Sequence, residues 1–262
     1  MSKDLIRQIV NALAVVGTIA MNGLANALPL NGQLTGEISD RFRVFFVPAG
    51  YVFSIWGLIY VGLLAFAIFQ ALPSQRQNAA LRRIGYLPSL SGVANVAWLF
   101  FWHYNAFGWT LVAMLLLLAS LLAIYLRLGI GRTPAASPGE RWAVRVPFSI
   151  YLGWITVATL ANVTDVLYLT AWSGWGIGPE TWAVILLVIA TLVALAMAVT
   201  RRDAAYILVL TWAFAGIGVA QAGAPLVANA GWTAAAVTAV LAAWALWRGR
   251  PAGSVPARPL SA

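Results

Sequence analysis

The stretch FVPAGYVFSIWGLIYVGL, from Phe46 to Leu63, decides the fold class. Beginning at Pro48, its apolar character continues to about residue 72, a length that crosses ~30 Å of hydrocarbon at 1.5 Å per helical residue. The whole chain shares this character, since 62% of its 262 residues are hydrophobic and only 9% are charged. This composition excludes a soluble globular domain and predicts a membrane protein built from helices.

The same length criterion picks out about eight apolar stretches. They are residues 5–28, 48–72, 86–105, 107–127, 144–169, 181–200, 204–222 and 227–247. If the spans alternate in direction, all of the 16 basic residues except Arg41 and Arg43 fall on one side, which identifies the cytoplasmic face. We therefore expect an all-α, polytopic membrane bundle with both termini cytoplasmic. The net charge of +9 then follows from topology, and no nucleic-acid partner is expected.

The segments outside the spans are short. Residues 29–47 contain turn formers and charges of both signs, which predicts an ordered or semi-ordered loop on the outer face. Residues 251–262 are expected to be a disordered tail. The chain has no cysteine, which excludes disulfides, thiolate metal ligands and a cysteine nucleophile.

Polar and aromatic side chains concentrate on single faces of several spans. In the second span Phe53, Trp56 and Tyr60 lie at positions i, i+3 and i+7, and Asn95, Trp98 and Trp102 repeat this spacing in the third. The stripe of the fifth span comprises Tyr151, Trp154, Ala158, Asn162 and Asp165. Asn22 and Asn26 occupy the outer third of the first span.

Two interpretations of these faces stay open at this point. Polar groups in hydrocarbon need partners, so they face the bundle interior or a cavity. The stripes therefore indicate either an aromatic-walled, amide-lined pocket beneath the 29–47 loop or side chains that join the helices. His103 could ligate a metal or metalloporphyrin, although a single histidine at a span end is more often an interfacial hydrogen-bonding group.

Three motifs resemble those of the TspO/MBR family, the tryptophan-rich sensory and translocator proteins. Pro48 followed by VFSIWGLIY resembles the second helix of the family, and NVAWLFF, residues 95–101, resembles its third. YLGWITVATLAN, residues 151–162, is similar to its fifth-helix pattern Y-x-x-W-x-x-x-A-T-x-x-N. The resemblance covers residues 1–170, and 171–250 are expected to form three further transmembrane helices whose composition suggests packing or a homodimer contact.

The resemblance implies a membrane-embedded ligand-binding or sensory protein. Its ligand would be a porphyrin or another hydrophobic small molecule, with Trp56 and Trp154 as opposing walls of a slot and residues 29–47 as its lid. No cofactor is expected to be required, and no catalytic or metal-ligating set is assigned. The predicted ligand-binding residues are Asn22, Asn26, Phe53, Trp56, Tyr60, Asn95, Trp98, Tyr151, Trp154, Ala158, Asn162 and Asp165.

Two alternatives belong to other functional classes. A transporter of a small apolar or cationic solute would use Asp165 as its coupling or substrate-binding group. An intramembrane enzyme has little support, because the spans lack paired carboxylates and known catalytic motifs. The family resemblance would still permit light-dependent porphyrin breakdown. Helical spans are typical of a bacterial-type inner membrane, where we expect this protein.

Overall fold

The computed structural model describes residues 2–248, and eight long helices form most of that part of the chain. We number them α1 to α8 along the sequence. They are α1 (Lys3–Ala27), α2 (Ile55–Ala71), α3 (Leu87–His103), α4 (Phe107–Leu128), α5 (Val146–Leu169), α6 (Pro179–Arg201), α7 (Ala204–Ala220) and α8 (Pro225–Arg248). They coincide with the eight predicted stretches, which confirms the all-α bundle. The predicted disordered tail, 251–262, lies outside the described residues.

Most of the helices are long enough to cross a bilayer. Six helical segments meet the requirement by length and composition. The other two helices, α3 and α7, have 17 residues each, which is the lower end of the range of ~17–25 for a spanning helix. The chain therefore forms an integral, multi-pass bundle whose outer surface contacts lipid.

Local sequence determines how α2 and α5 begin. A 3₁₀ turn, Gly50–Ser54, precedes α2, so Phe53 lies in this turn and not in the α-helix as its spacing predicted. Before α5 the chain forms a short helix, Pro138–Glu140, and then a π-helical turn, Arg141–Arg145. Because a π turn carries an extra residue, it changes the direction of the side chains on either side of it.

The first five helices pack in pairs around one core. Helix α1 lies against α2 and α3, α3 against α4, and α5 against both α4 and α2. The side-chain amides of Gln8 and Gln70 donate to each other's backbone carbonyls at 2.6 and 2.9 Å, which joins α1 to α2. Such interhelical hydrogen bonds satisfy polar groups that would otherwise face hydrocarbon.

The last three helices share this core. Helix α8 packs on α6 and α7, and α7 packs on α5. The backbone N–H of Ala49 donates to the carbonyl of Gly216 at 3.1 Å, and the indole of Trp212 donates to the carbonyl of Val52 at 3.1 Å. Both contacts connect α7 to the turn before α2. The division of function at residue 170 stays a prediction.

A buried carboxylate joins the inner end of α7 to the earlier helices. Asp203 accepts hydrogen bonds from the hydroxyls of Tyr125 at 2.9 Å and Ser149 at 2.7 Å. It also caps α7 by accepting from the backbone N–H of Tyr206 at 3.2 Å. One side chain therefore connects α4, α5 and α7.

The basic loops meet at one end of the bundle. The guanidinium of Arg7 donates to the carbonyl of Arg76 at 2.8 Å, and that of Arg127 donates to the carbonyl of Arg83 at 3.2 Å. The alternation of the spans therefore gathers positive charge on one face, as the sequence predicted. The assignment of this face to the cytoplasm rests on the positive-inside rule.

Candidate functional site

The loop between α1 and α2 covers the outer end of α3. The side-chain amides of Asn31 and Gln33 donate to the carbonyl of His103 at 3.0 and 2.8 Å. The indole of Trp102 donates to the carbonyl of Thr35 at 3.2 Å. Phe42 packs on the Trp102 ring, with centroids 5.6 Å apart. The predicted outer loop is therefore ordered and contacts the outer end of α3 at several points.

His103 lies fully buried beneath this loop. Its Nδ1 is 2.8 Å from the carbonyl of Leu99, and its Nε2 is 3.3 Å from the hydroxyl of Thr35. Both ring nitrogens are thus engaged in hydrogen bonds. Among residues 2–248, no group of three or more His, Asp or Glu side chains is arranged to hold a metal ion. The arrangement favours the hydrogen-bonding interpretation of His103.

The predicted aromatic residues of α5, of α2 and of the turn before α2 meet in one group, which we call the aromatic cluster. It consists of Phe53, Trp56, Tyr60, Tyr151 and Trp154. Trp56 stacks on Tyr60 with ring centroids 5.6 Å apart and meets Tyr151 edge to face at 5.9 Å. Trp154 contacts Trp56 at 6.3 Å and Phe53 at 5.6 Å, both nearly perpendicular. These are the separations and angles that aromatic pairs prefer.

One fully buried polar atom in the aromatic cluster has no hydrogen-bond partner among the described residues. Trp154 is only 3% exposed, and its indole Nε1 makes no hydrogen bond with any residue that the structure describes. A buried donor without an acceptor costs about 1–3 kcal/mol, and buried tryptophans usually find one. This N–H is therefore available to an acceptor from outside the chain.

A chain of amides extends from the aromatic cluster to α1. Asn95 donates to the hydroxyl of Tyr151 at 3.1 Å and accepts from the side chain of Asn22 at 2.7 Å. Asn26 donates to the backbone carbonyl of Asn22 at 2.8 Å. The predicted residues of α1, α3 and α5 are thus linked by direct hydrogen bonds.

A second polar contact lies nearer the outer loop. The indole of Trp98 donates to the side-chain oxygen of Asn162 at 3.3 Å, and Asn162 donates to the hydroxyl of Thr110 at 2.9 Å. Trp98 also stacks on Trp102, with centroids 5.2 Å apart. Sequence reasoning missed Thr110, because a single threonine near the start of a span carries no motif.

The two remaining predicted residues of α5 make no polar side-chain contact. Ala158 is half-buried against the core. Asp165 is 9% exposed, and within residues 2–248 its carboxylate has neither a hydrogen bond nor an ion pair. Asp165 is therefore a buried acid at the outer end of α5 that nothing in the described chain neutralises.

The rings of the aromatic cluster touch, so no open slot separates Trp56 from Trp154. Next to the cluster is a void of about 10 Å³, large enough for one water. Its lining comprises Val15, Thr18, Leu63, Pro88, Ser91, Gly92, Phe148 and Tyr151. A much larger cleft, of about 1660 Å³, opens elsewhere, between α2, α5, α7 and α8.

Comparison with known proteins identifies a family. The TSPO-like protein family model matches residues 8–244. No curated protein and no solved structure matches the chain. The matched region begins in α1 and extends beyond residue 170 into α8, whereas the sequence motifs lie in the first five helices. A match over so much of the sequence shows that the chain belongs to the TSPO-like family of membrane proteins.

Proposed function

We propose that this protein binds a flat hydrophobic molecule of the porphyrin type at the aromatic cluster. The unpartnered Nε1 of Trp154 is the observation that carries the proposal. A porphyrin combines an aromatic face with carboxylate groups, so it could both stack on Trp56 and accept the Trp154 hydrogen bond. Membership of the TSPO-like family supports a ligand-binding or sensory role.

Binding requires the aromatic cluster to open. A ring that enters between Trp56 and Trp154 must separate two indoles now 6.3 Å apart. The hydrogen bond from Asn95 to Tyr151 would hold the aromatic face of α5 in place, while Trp56 on α2 moves away from it. The ordered loop over α3 would act as the lid. Ligand-dependent movement of this loop is the route by which binding would be signalled. We infer that the protein lies in a bacterial-type inner membrane.

The test is a titration of the detergent-solubilised full chain with protoporphyrin. Binding is read from the absorbance of the porphyrin, because substitution of tryptophans changes the fluorescence of the protein. For Trp154→Phe, which keeps a ring but removes the N–H, we expect about tenfold weaker binding, equal to ~1.4 kcal/mol. The Trp56→Phe/Trp154→Phe double variant should bind more weakly still.

Trp109→Phe is the matched control, since Trp109 is 61% exposed on α4 and lies outside the aromatic cluster. It should bind as the wild type does. Saturable binding with equal affinity in all variants would remove the aromatic cluster from the site. Absence of saturable binding in the wild type would reject the porphyrin class.

Transport of a small apolar or cationic solute is the second candidate, and the buried carboxylate of Asp165 is what favours it. An unpaired acid within a span is expensive to bury and is often part of a substrate or ion pathway. Under this proposal, uptake of a lipophilic cation into proteoliposomes should fall to background for Asp165→Asn. Asp40→Asn, which changes an exposed acid of the outer loop, should transport normally. Equal uptake by Asp165→Asn and the wild type would reject this candidate.

A further inference from the structure

The large cleft between α2, α5, α7 and α8 has two chemically different parts. Its walls toward the middle of the bundle are apolar and include Leu58, Ile150, Leu208 and Val209. Leu58 and Leu208 are 55% and 49% exposed, so this part of the cleft is open to the surrounding lipid. At its basic end, residues 130–138 line the cleft.

Arginines surround the basic end of the cleft. Those that line it are Arg132, Arg141, Arg145, Arg201, Arg202 and Arg248. Arg145 is neutralised by Glu140, with the nitrogen and oxygen 2.7 Å apart. In the described part of the chain, the other five have no carboxylate within ion-pair distance. The lining therefore holds a concentrated positive charge that the protein does not balance.

Nearby acids do not compensate this charge. Among residues 2–248, Asp203 is the only carboxylate in the lining, and its oxygens already accept from Tyr125, Ser149 and Tyr206. The sequence after Arg248 adds two more arginines and no acid. Positive-inside topology explains why basic residues lie on this face, but it does not require five of them to line one cleft that continues into an apolar groove.

We propose that this cleft binds an anionic phospholipid from the leaflet on the basic side of the bundle. The phosphate would lie among Arg141, Arg202 and Arg248, whose guanidinium groups can bind it through paired hydrogen bonds. An acyl chain would lie along Leu58 and Leu208. The volume of about 1660 Å³ exceeds the ~300–1,000 Å³ of pockets for drug-sized ligands, which fits a larger amphiphile. Basic pockets between membrane helices bind anionic headgroups by the same chemistry.

The test counts lipids bound to the full-length protein by native mass spectrometry. Detergent-solubilised protein is titrated with phosphatidylglycerol and, separately, with phosphatidylcholine of the same acyl chains. We expect the wild type to bind phosphatidylglycerol about tenfold more tightly. The Arg141→Gln/Arg202→Gln/Arg248→Gln variant should lose this preference.

The Lys3→Gln/Arg83→Gln/Arg127→Gln variant is the matched control. It removes three exposed charges from the same face outside the cleft and should keep the preference. If both triple variants lose it equally, the effect is a general surface charge and the proposal is overturned. The same holds if the wild type binds the two lipids equally.

A Leu208→Trp variant tests the apolar half of the site. It narrows the groove without changing charge, so it should weaken retention of phosphatidylglycerol severalfold while circular dichroism shows an intact helical fold. Unchanged retention would mean that no acyl chain lies along Leu208, which overturns the proposed site. Full displacement of the lipid by inorganic phosphate would mean that the cleft binds phosphate without a lipid chain. A protein dimer that excludes lipid from the cleft would likewise contradict the proposal.

Discussion

Asp203→Ala should destabilise the bundle by at least about 3 kcal/mol. The substitution removes the acceptor for the hydroxyls of Tyr125 and Ser149, each only 1% exposed. A buried hydroxyl that loses its partner costs about 1–3 kcal/mol. Loss of the cap on α7 adds about 1 kcal/mol. The measurement is the free energy of unfolding from titration with a denaturing detergent, followed by circular dichroism.

Two further variants show whether the hydrogen bonds cause this loss. Asp203→Asn keeps one acceptor oxygen and the shape of the side chain, so it should lose less stability than Asp203→Ala. Asp40→Ala removes an exposed acid whose side chain makes no described contact and should behave as the wild type. Equal stability of Asp203→Ala and the wild type would show that the contact does not hold α7 to α4 and α5.

Gly231→Val should separate α7 from α8 and lower stability by about 3 kcal/mol, at the upper end of the cost of overpacking. A Cβ at Gly231 would lie 2.8 Å from the backbone nitrogen of Gly218 and 3.2 Å from the carbonyl oxygen of Phe214. Backbone atoms cannot move aside as a flexible side chain can, so the helices must shift. The same detergent titration measures the loss.

Gly23→Val in α1 is the control, because a Cβ there meets nothing within 4 Å. Where the space around a helical glycine is open, a side chain added there does not overpack the helix interface. The added side chain also reduces the backbone freedom of the unfolded chain, which favours folding. Gly23→Val should therefore leave stability nearly unchanged. If the two variants are equally stable, the close approach of α7 and α8 contributes nothing to folding.

The sequence predicted much of the bundle and of the aromatic cluster, because both depend on spacing along single helices. The spacing of Trp56 and Tyr60 placed these two side chains on one face of α2, and the stripe through Trp154 did the same for α5, whereas Phe53 reaches Trp154 from the 3₁₀ turn before α2. Facing stripes on neighbouring helices then meet, as the contacts of Trp56 with Tyr151 and Trp154 illustrate. The eight helices could be predicted because each one corresponds to a single apolar stretch of the sequence.

Features that depend on contacts between distant segments could not be predicted in this way. Asp203 follows Arg201 and Arg202 in a short turn, where a solvated acid is the normal expectation. Its burial depends on how α7 docks against α4 and α5. The spacing within each helix likewise predicts that Trp56 and Trp154 face each other, but it does not predict the distance between the two helices. An open slot was therefore expected between two rings that in fact touch.

The closed aromatic cluster has a consequence for the rate of binding. If a ligand enters only when the indoles of Trp56 and Trp154 are apart, its apparent affinity is the intrinsic affinity multiplied by the fraction of open molecules. For an opening of ~1.4 kcal/mol this fraction is about one tenth. The observed association rate would then stop rising at high ligand concentration, where it equals the rate of opening. Substitutions that loosen the edge-to-face contact would raise this ceiling and, as long as they leave the walls intact, would speed uptake.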